Sequence, residues 1–368
     1  FGSRPCAFFS SGMGALGHQE SAALPSMPTY AAVEGGGTTW VAALATGTPP
    51  RIVERAEWPT SGDPAEVLAK VADWLKARRY DSLGVACFGP VDLKAGSPTW
   101  GYITTTPKIG WKNVDVMGPL RAANPGLPCA FDTDVNAPAL EEFKHFGRPG
   151  QTSCAYVTVG TGLGVGLVIN GRSVQGLMHP EGGHVPALKM EGDTCKGDAY
   201  KGTHPHPWSI EALCCSDTIA RRAGVEISEL KDLPDDHEVW SQVGYLLGSL
   251  CATLVTMCSV ERIVLSGGVM QRKSLFPKIR KATQDILNGY IKLPQIMDSG
   301  PDGIDGFIVP SERGNEAGIY GAVSLAVDAL AEASKKEKLH RPLWTDLLGG
   351  AVVLVGAFLA MSAARARR

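Results

Sequence analysis

Asp132, Thr133, Asp134, Val135 and Asn136 bring two carboxylates and an amide together within five residues. A carboxylate at a strand end, open to a cleft, can take the proton of a hydroxyl as that oxygen attacks phosphorus. Capping is the plainer use of such residues, and Asp134 or Asn136 could cap a helix that begins near Pro138. Capping alone does not call for three polar groups. Two glycine turns offer the complementary chemistry, Gly35-Gly36-Gly37-Thr38-Thr39 and Gly160-Thr161-Gly162-Leu163-Gly164. Backbone N–H groups at Gly36, Gly37, Gly160 and Gly162 can converge on a phosphate, and Thr38, Thr39 and Thr161 add hydroxyl donors. Neither turn is a G-x-x-x-x-G-K-[ST] loop, and neither leads from a strand into a helix as a dinucleotide fingerprint does. Ser266-Gly267-Gly268-Val269-Met270 ends a strand, where the backbone at Gly267 and Gly268 can pass beneath an adenine and ribose.

His179-Pro180-Glu181-Gly182-Gly183-His184 is polar and glycine-rich, and Glu181 and His184 can hydrogen-bond vicinal hydroxyls of a sugar. Glu211 is a third acceptor further along. His179, His184, Cys195, His204 and His206 also form a loose set of zinc-ligand types. Their spacing is irregular, so a surface histidine loop accounts for them equally well.

The elements that must carry these groups alternate between strand and helix. Residues 31–37, 38–44 and 51–55 read as short strands broken by glycine. Residues 65–79 have helical spacing, with Val67, Leu68, Val71, Trp74 and Leu75 on one stripe. Residues 83–88 read as an apolar strand and 138–146 as a helix. A second unit opens at 153 with strands over 154–159 and 165–169, a buried helix over 239–259, a strand over 262–266 and a closing helix over 316–333. The two glycine turns occupy matching places in the two halves, as a duplicated α/β unit would have them.

The chain of 368 residues has room for two domains, and a formal net charge of −2 gives no basic patch for nucleic acid. Nine cysteines without a C-x-x-C pair indicate free thiols in a reducing compartment. Residues 1–30 lack hydrophobic periodicity and read as disordered or as the remnant of a leader. A charged linker is expected over 335–346. Residues 347–364 carry no charge and reach about 27 Å as a helix, enough for a bilayer, with Trp344 and the terminal arginines as interfacial anchors. They are read as a transmembrane tail that tethers a cytosol-facing protein to an intracellular or organelle outer membrane. Without such a span the protein is a soluble cytoplasmic one.

Over residues 31–330 these motifs, in this order, resemble the ROK-family sugar kinases, and their fructokinase branch in particular. The resemblance rests on Glu34-Gly35-Gly36-Gly37-Thr38-Thr39, Phe88-Gly89-Pro90-Val91-Asp92 and Thr106-Pro107-Lys108-Ile109-Gly110-Trp111, together with the segments already described. The Thr-Pro-Lys and His-Pro-Glu forms are those of fructokinases rather than glucokinases. The resemblance implies two actin-like α/β domains of ribonuclease H-like fold, over 31–145 and 146–334, with ATP and a hexose in the central cleft. It implies Asp134 as catalytic base and Asn136, Glu181, His184 and Glu211 at the sugar. It places the two turns at the phosphates of ATP, Gly267-Gly268 at the adenosine, and Mg²⁺ with the ATP. The implied reaction is fructose to fructose 6-phosphate. Glucose, mannose or an N-acetylhexosamine are alternative substrates, and a catalytically inactive sugar-binding or regulatory protein is an alternative of another class. Members also hold a structural zinc through the His of this segment and a cysteine-rich loop, and many form homodimers. Here Thr203-His204-Pro205-His206-Pro207-Trp208-Ser209 replaces that loop and lacks both cysteines, leaving His184, His206 and Cys195 or His204 as the zinc candidates.

Overall fold

The computed structural model describes residues 27–198 and 205–340. The expected leader over 1–30 falls outside this range except for its last residues, and Thr29 and Tyr30 already belong to a strand. The expected transmembrane tail and His204 lie outside the described residues.

The first sheet begins with three antiparallel strands, β1 (Thr29–Gly35), β2 (Thr39–Thr46) and β3 (Arg51–Pro59). Helix α1 (Pro64–Lys76) follows, with Asp63 accepting the N–H of Glu66 as its cap and Pro64 in the first turn. Its stripe of Val67, Leu68, Val71 and Leu75 is buried, each side chain contributing about 1.5–3 kcal/mol. Trp74, read onto the same stripe, is half-buried under the guanidinium of Arg78 instead. β4 (Ser82–Cys87) returns parallel to β1. A small ribbon of β5 (Tyr102–Ile103) and β6 (Val114–Asp115), then α2 (Met117–Ala122), leads to β7 (Cys129–Thr133), parallel to β4. The sheet order is β3-β2-β1-β4-β7.

Helix α3 (Asn136–Phe146) crosses to the second sheet, which starts with β8 (Cys154–Val159), β9 (Leu163–Ile169) and the short β10 (Arg172–Ser173). Helices α4 (Ile210–Cys214), α5 (Ser216–Ala223) and α6 (Glu238–Cys258) precede β11 (Ile263–Ser266). Helices α7 (Leu275–Leu287), α8 (Pro294–Met297) and α9 (Ile304–Phe307) precede β12 (Ile308–Pro310). The order β10-β9-β8-β11-β12 repeats that of the first sheet, so the matching glycine turns are the same hairpin used twice. Among the described residues one helix, α6, is long and apolar enough to cross a membrane, and most of it is buried in the core of the second unit.

The chain closes with α10 (Ala317–His340). Residues 335–340, expected as linker, continue this helix, because Lys335, Lys336, Glu337 and Lys338 are good helix formers. Helices α3 and α10 lie between the two sheets. Strand periodicity sorts the side chains: Ala31 and Val33 face α1, whereas Ala32, Val41, Ala43, Ala86 and, from the second sheet, Cys154 and Tyr156 face the central layer.

The central layer is thin because its residues are small. A Cβ on Gly84 would lie 2.0 Å from the Ala322 carbonyl oxygen and 2.6 Å from the Ala326 nitrogen. The hydroxyl of Ser82 donates to the Ala326 carbonyl at 2.7 Å on the same contact. Gly84→Ala must therefore push α10 off the sheet. We expect a loss of about 3 kcal/mol or more, measured as a lowered urea midpoint with unchanged slope. An unchanged midpoint would show that this contact does not constrain the fold.

Candidate active site

The segment after β7 is held against the second sheet by backbone. Gly164 and Gly166 on β9 have no side chain, and a Cβ on Gly166 would stand 2.0 Å from the carbonyl oxygen of Val135. The turn rests directly on the strand. Asn136 fastens it there: its Oδ1 accepts the Leu167 N–H at 3.1 Å, and its Nδ2 donates to Asp132 Oδ1 at 2.9 Å and to the Val174 carbonyl at 3.4 Å. Asp132 is buried and also accepts the Thr133 N–H and the hydroxyl of Ser173. Burial pushes its carboxyl up, and these hydrogen bonds oppose the shift.

Asn136, expected at the sugar, is held within the protein. Its side chain is fully buried and both amide hydrogens are engaged within the protein, so it orients the turn. The capping role weighed for Asp134 and Asn136 falls to Thr133, whose hydroxyl accepts the Asn136 N–H at 2.9 Å. The Asp134 N–H donates to the Cys87 carbonyl at the end of β4 at 3.0 Å, which fixes the backbone at this point. No side chain among the described residues hydrogen-bonds the Asp134 carboxylate.

Two further carboxyls share its surroundings. Asp134 is pushed up to about 6 by burial. Glu34, at the end of β1, is pushed up to about 7 by burial and by the nearby Asp134, with Arg55 opposing. Glu181 is pushed up to about 7 by burial and by the charges of Glu211 and Asp134. Asp134 and Glu34 are half-buried, and Glu181 is more exposed. Tyr156 on β8 feels both Glu34 and Asp134, so these two carboxyls lie near the inner end of that strand's face.

Glu181 opens a single 3₁₀ turn, Gly182–His184. A Cβ on Gly183 would stand 2.1 Å from the Leu163 carbonyl, so this loop also rests on β9. Glu211 on α4 is buried, and its Oε2 accepts the Leu163 N–H at 2.8 Å, tying α4 to the same strand. Ser209 caps α4 by accepting the Ala212 N–H. Strand β9 thus carries the turn with Asp134, the loop with Glu181 and His184, and the contact to Glu211.

The zinc set of His184, Cys195 and His206 is not assembled. The two imidazoles meet Nδ1 to Nδ1 at 2.9 Å, a hydrogen-bond distance, while the Cys195 thiol turns to the Lys196 carbonyl. Among the described residues no group of three or more His, Cys, Asp or Glu is gathered for a metal. The 203–209 segment, whose first two residues lie outside the described residues, carries no cysteine. His206 packs against Trp208 instead, ring centroids 5.0 Å apart.

The glycine turns keep their tips open. Gly37, Thr38 and Thr161 are exposed, whereas Gly36 and Thr39 close the first turn through a 2.9 Å backbone bond. Gly160 closes the second with Gly162 at 2.8 Å and lies beside Gly268, with Gly267 against the end of β8. Lys108 donates to the Gly37 carbonyl, and its ammonium lies over the Phe88 ring. Glu34, Lys108 and Asp132 were not singled out from the sequence as site residues. Their signal was position: each stands inside one of the quoted motifs.

Residues 30–329 match the ROK family profile. The chain belongs to the ROK family. It is 36% identical over 309 residues to the fructokinase of Zymomonas mobilis, covering 82% of this chain and 97% of that protein. It is 32% identical over 302 residues to the fructokinase of Pediococcus pentosaceus, covering 82% of this chain and 99% of that protein. The ROK hexokinase of Thermus thermophilus superposes with a TM-score of 0.65 at 24% identity, over 83% of this chain and 99% of that one. A ROK glucokinase of Streptomyces griseus solved with glucose and AMPPNP superposes at 0.62 and 19% identity, over 82% of this chain and 99% of that one. These two structures share the overall fold of the chain.

The raised Glu34 carboxyl has a consequence for stability. Its folded value lies above its unfolded value, so the native state retains its proton to higher pH. That contribution is complete below about pH 4.3 and is lost as pH rises through about 7. Relative to Glu34→Gln, the ligand-free wild type should lose stability between about pH 5 and 8, followed by urea unfolding. Parallel curves for the two proteins would contradict the shift.

Proposed function

We propose that the protein is a fructokinase that transfers the γ-phosphoryl group of Mg-ATP to the 6-hydroxyl of fructose. The observation that carries this reading is the Asp134 carboxylate, unpartnered by any described side chain and poised at about 6 beside two other carboxyls. At neutral pH it is largely ionised yet basic enough to accept a hydroxyl proton as the oxygen bonds to phosphorus. The proton passes to Asp134, the bond from the γ-phosphorus to its bridging oxygen breaks, and ADP leaves. Glu181, His184 and Glu211 orient the sugar. The turns at residues 36–39 and 160–162 hold the phosphates, and Gly267-Gly268 passes beneath the nucleoside. Glu34, close to Asp134, would lie near the cation of bound Mg-ATP, whose charge would favour the ionised form of both carboxyls. Closure of the two sheets' units on the sugar excludes water from the phosphoryl group. Fructose is preferred over other hexoses in this reading because fructokinases are 31–37% identical to the chain over most of its length, against 26% for a glucokinase of Halalkalibacterium halodurans.

A coupled ADP-release assay with fructose, glucose, mannose and N-acetylmannosamine should give at least about tenfold higher kcat/KM for fructose. Asp134→Asn should lower kcat by roughly a thousandfold while calorimetry finds fructose binding nearly intact. Preference for another sugar would keep the kinase and discard the branch. Turnover retained by Asp134→Asn would remove the base.

The segment at 347–364 is our proposed bilayer span, holding the catalytic part on the cytosolic side of a membrane. The full chain should then sediment with membranes through a carbonate wash, and a chain ending at residue 340 should not. Full chain in the supernatant would defeat this reading.

A further inference from the structure

His179 is absorbed by none of the roles above. It is buried, with 4% exposure, in the loop between β10 and the Gly182–His184 turn. Its Nε2 accepts the backbone N–H of Val91 at 3.0 Å, across 88 residues of sequence. Its Nδ1 lies 3.1 Å from the Pro180 carbonyl and 3.7 Å from Glu181 Oε1. The ring is also packed against Gly89, where a Cβ would stand 3.1 Å from Cε1 and Nε2.

The partners decide the protonation state. Val91 presents a backbone N–H, so Nε2 must offer its lone pair and carries no proton. Nδ1 faces two oxygens, so it holds the hydrogen and donates it. A neutral imidazole with its proton on Nδ1 satisfies the hydrogen bonds to Val91 and Pro180, and it leaves that N–H 3.7 Å from the Glu181 carboxylate. Protonating Nε2 would set two N–H groups against each other. Burial lowers the affinity of the ring for a second proton, in agreement with this arrangement.

The two segments joined by this ring come from opposite sides of the site. Val91 lies four residues after Cys87, whose carbonyl fixes the backbone of Asp134. The Val91 segment is anchored to the first sheet's ribbon by the bridge to Ile103 and by the Thr104 N–H on the Pro90 carbonyl. Glu181 belongs to the loop that rests on β9 of the second sheet. From this we infer that His179 is a positioning residue for sugar recognition: its fixed neutral tautomer sets the Glu181 carboxylate relative to the Val91 segment. The inference rests on the reading of Glu181 as a sugar-binding residue.

Nitrogen-15 NMR of the full chain at neutral pH tests the tautomer directly. The His179 ring should show a protonated Nδ1 and a bare Nε2, and the opposite tautomer would overturn the inference. In steady-state kinetics with fructose and Mg-ATP, His179→Ala should raise the KM for fructose by about tenfold or more and move the KM for ATP less than about twofold. His179→Gln, whose side-chain carbonyl can reach the Nε2 position, should recover most of that loss. Unchanged fructose KM in a folded His179→Ala protein, or equal losses for both substrates, would overturn the clamp. Glu181→Gln, assayed in parallel, separates the two ideas. If it leaves fructose KM unchanged, the sugar-site reading fails and the inference falls with it. If it raises fructose KM while His179→Ala does not, the clamp alone fails.

Discussion

The arrangement of this protein depends on how closely a strand can approach the turn that carries Asp134. Gly166 on β9 leaves no room for a side chain between its Cα and the Val135 carbonyl, and Gly183 makes the same kind of contact with Leu163 further along the strand. Two loops from distant parts of the sequence therefore share one backbone platform. Side-chain packing tolerates shifts of several tenths of an ångström, whereas backbone-on-backbone contact allows very little. Positional accuracy at the carboxyls comes from missing atoms on β9 more than from the hydrogen bonds laid over them.

That accuracy is passed on by the central layer. Glu141 and Glu142 on α3 take different partners from α10 and the connection before it. Glu141 accepts from Arg313 and Ser324, and Glu142 from Ser311 and the Glu312 N–H. Helix α3 starts at the turn that carries Asp134 and is tied midway along its length to the last helix. The same helix thereby couples the inner faces of both sheets. Small side chains on β1, β2 and β4 let the helices lie close, and a larger set there would separate the sheets and open the carboxyl group to bulk water.

Much of this was legible in the sequence because its signals are local. Short apolar runs marked β8 and β11, helical spacing marked α1, a long apolar stretch marked α6, and the paired glycine turns pointed to the duplication. The less legible parts depended on contacts between distant segments. Asn136 stands in a motif of catalytic types, but only the fold shows its amide turned toward Leu167 and Val174. Gly164 read as part of a phosphate turn, although it lies within β9 and its Cβ position is taken by Val135. The histidines of residues 179–206 fitted a metal site or a surface loop equally well, and only the fold shows His184 and His206 meeting Nδ1 to Nδ1. Charge at 335–338 suggested a linker where a helix with an exposed end continues.

The seating of α10 across Gly84 and Ser82 also bears on how the molecule is made. A nascent chain leaving the ribosome has all five strands of the first sheet by residue 133, but the helix that covers their inner face begins only at Ala317. Until then the alanine-rich face of β1, β2 and β4 has no covering partner from its own chain. Synthesis of nearly two hundred further residues, about ten seconds or more at ordinary rates, separates the two events. The N-terminal unit is thus a folding client of the C-terminal helix. A chain stopped short of α10 would expose an open sheet face to chaperones and proteases rather than yield half an enzyme.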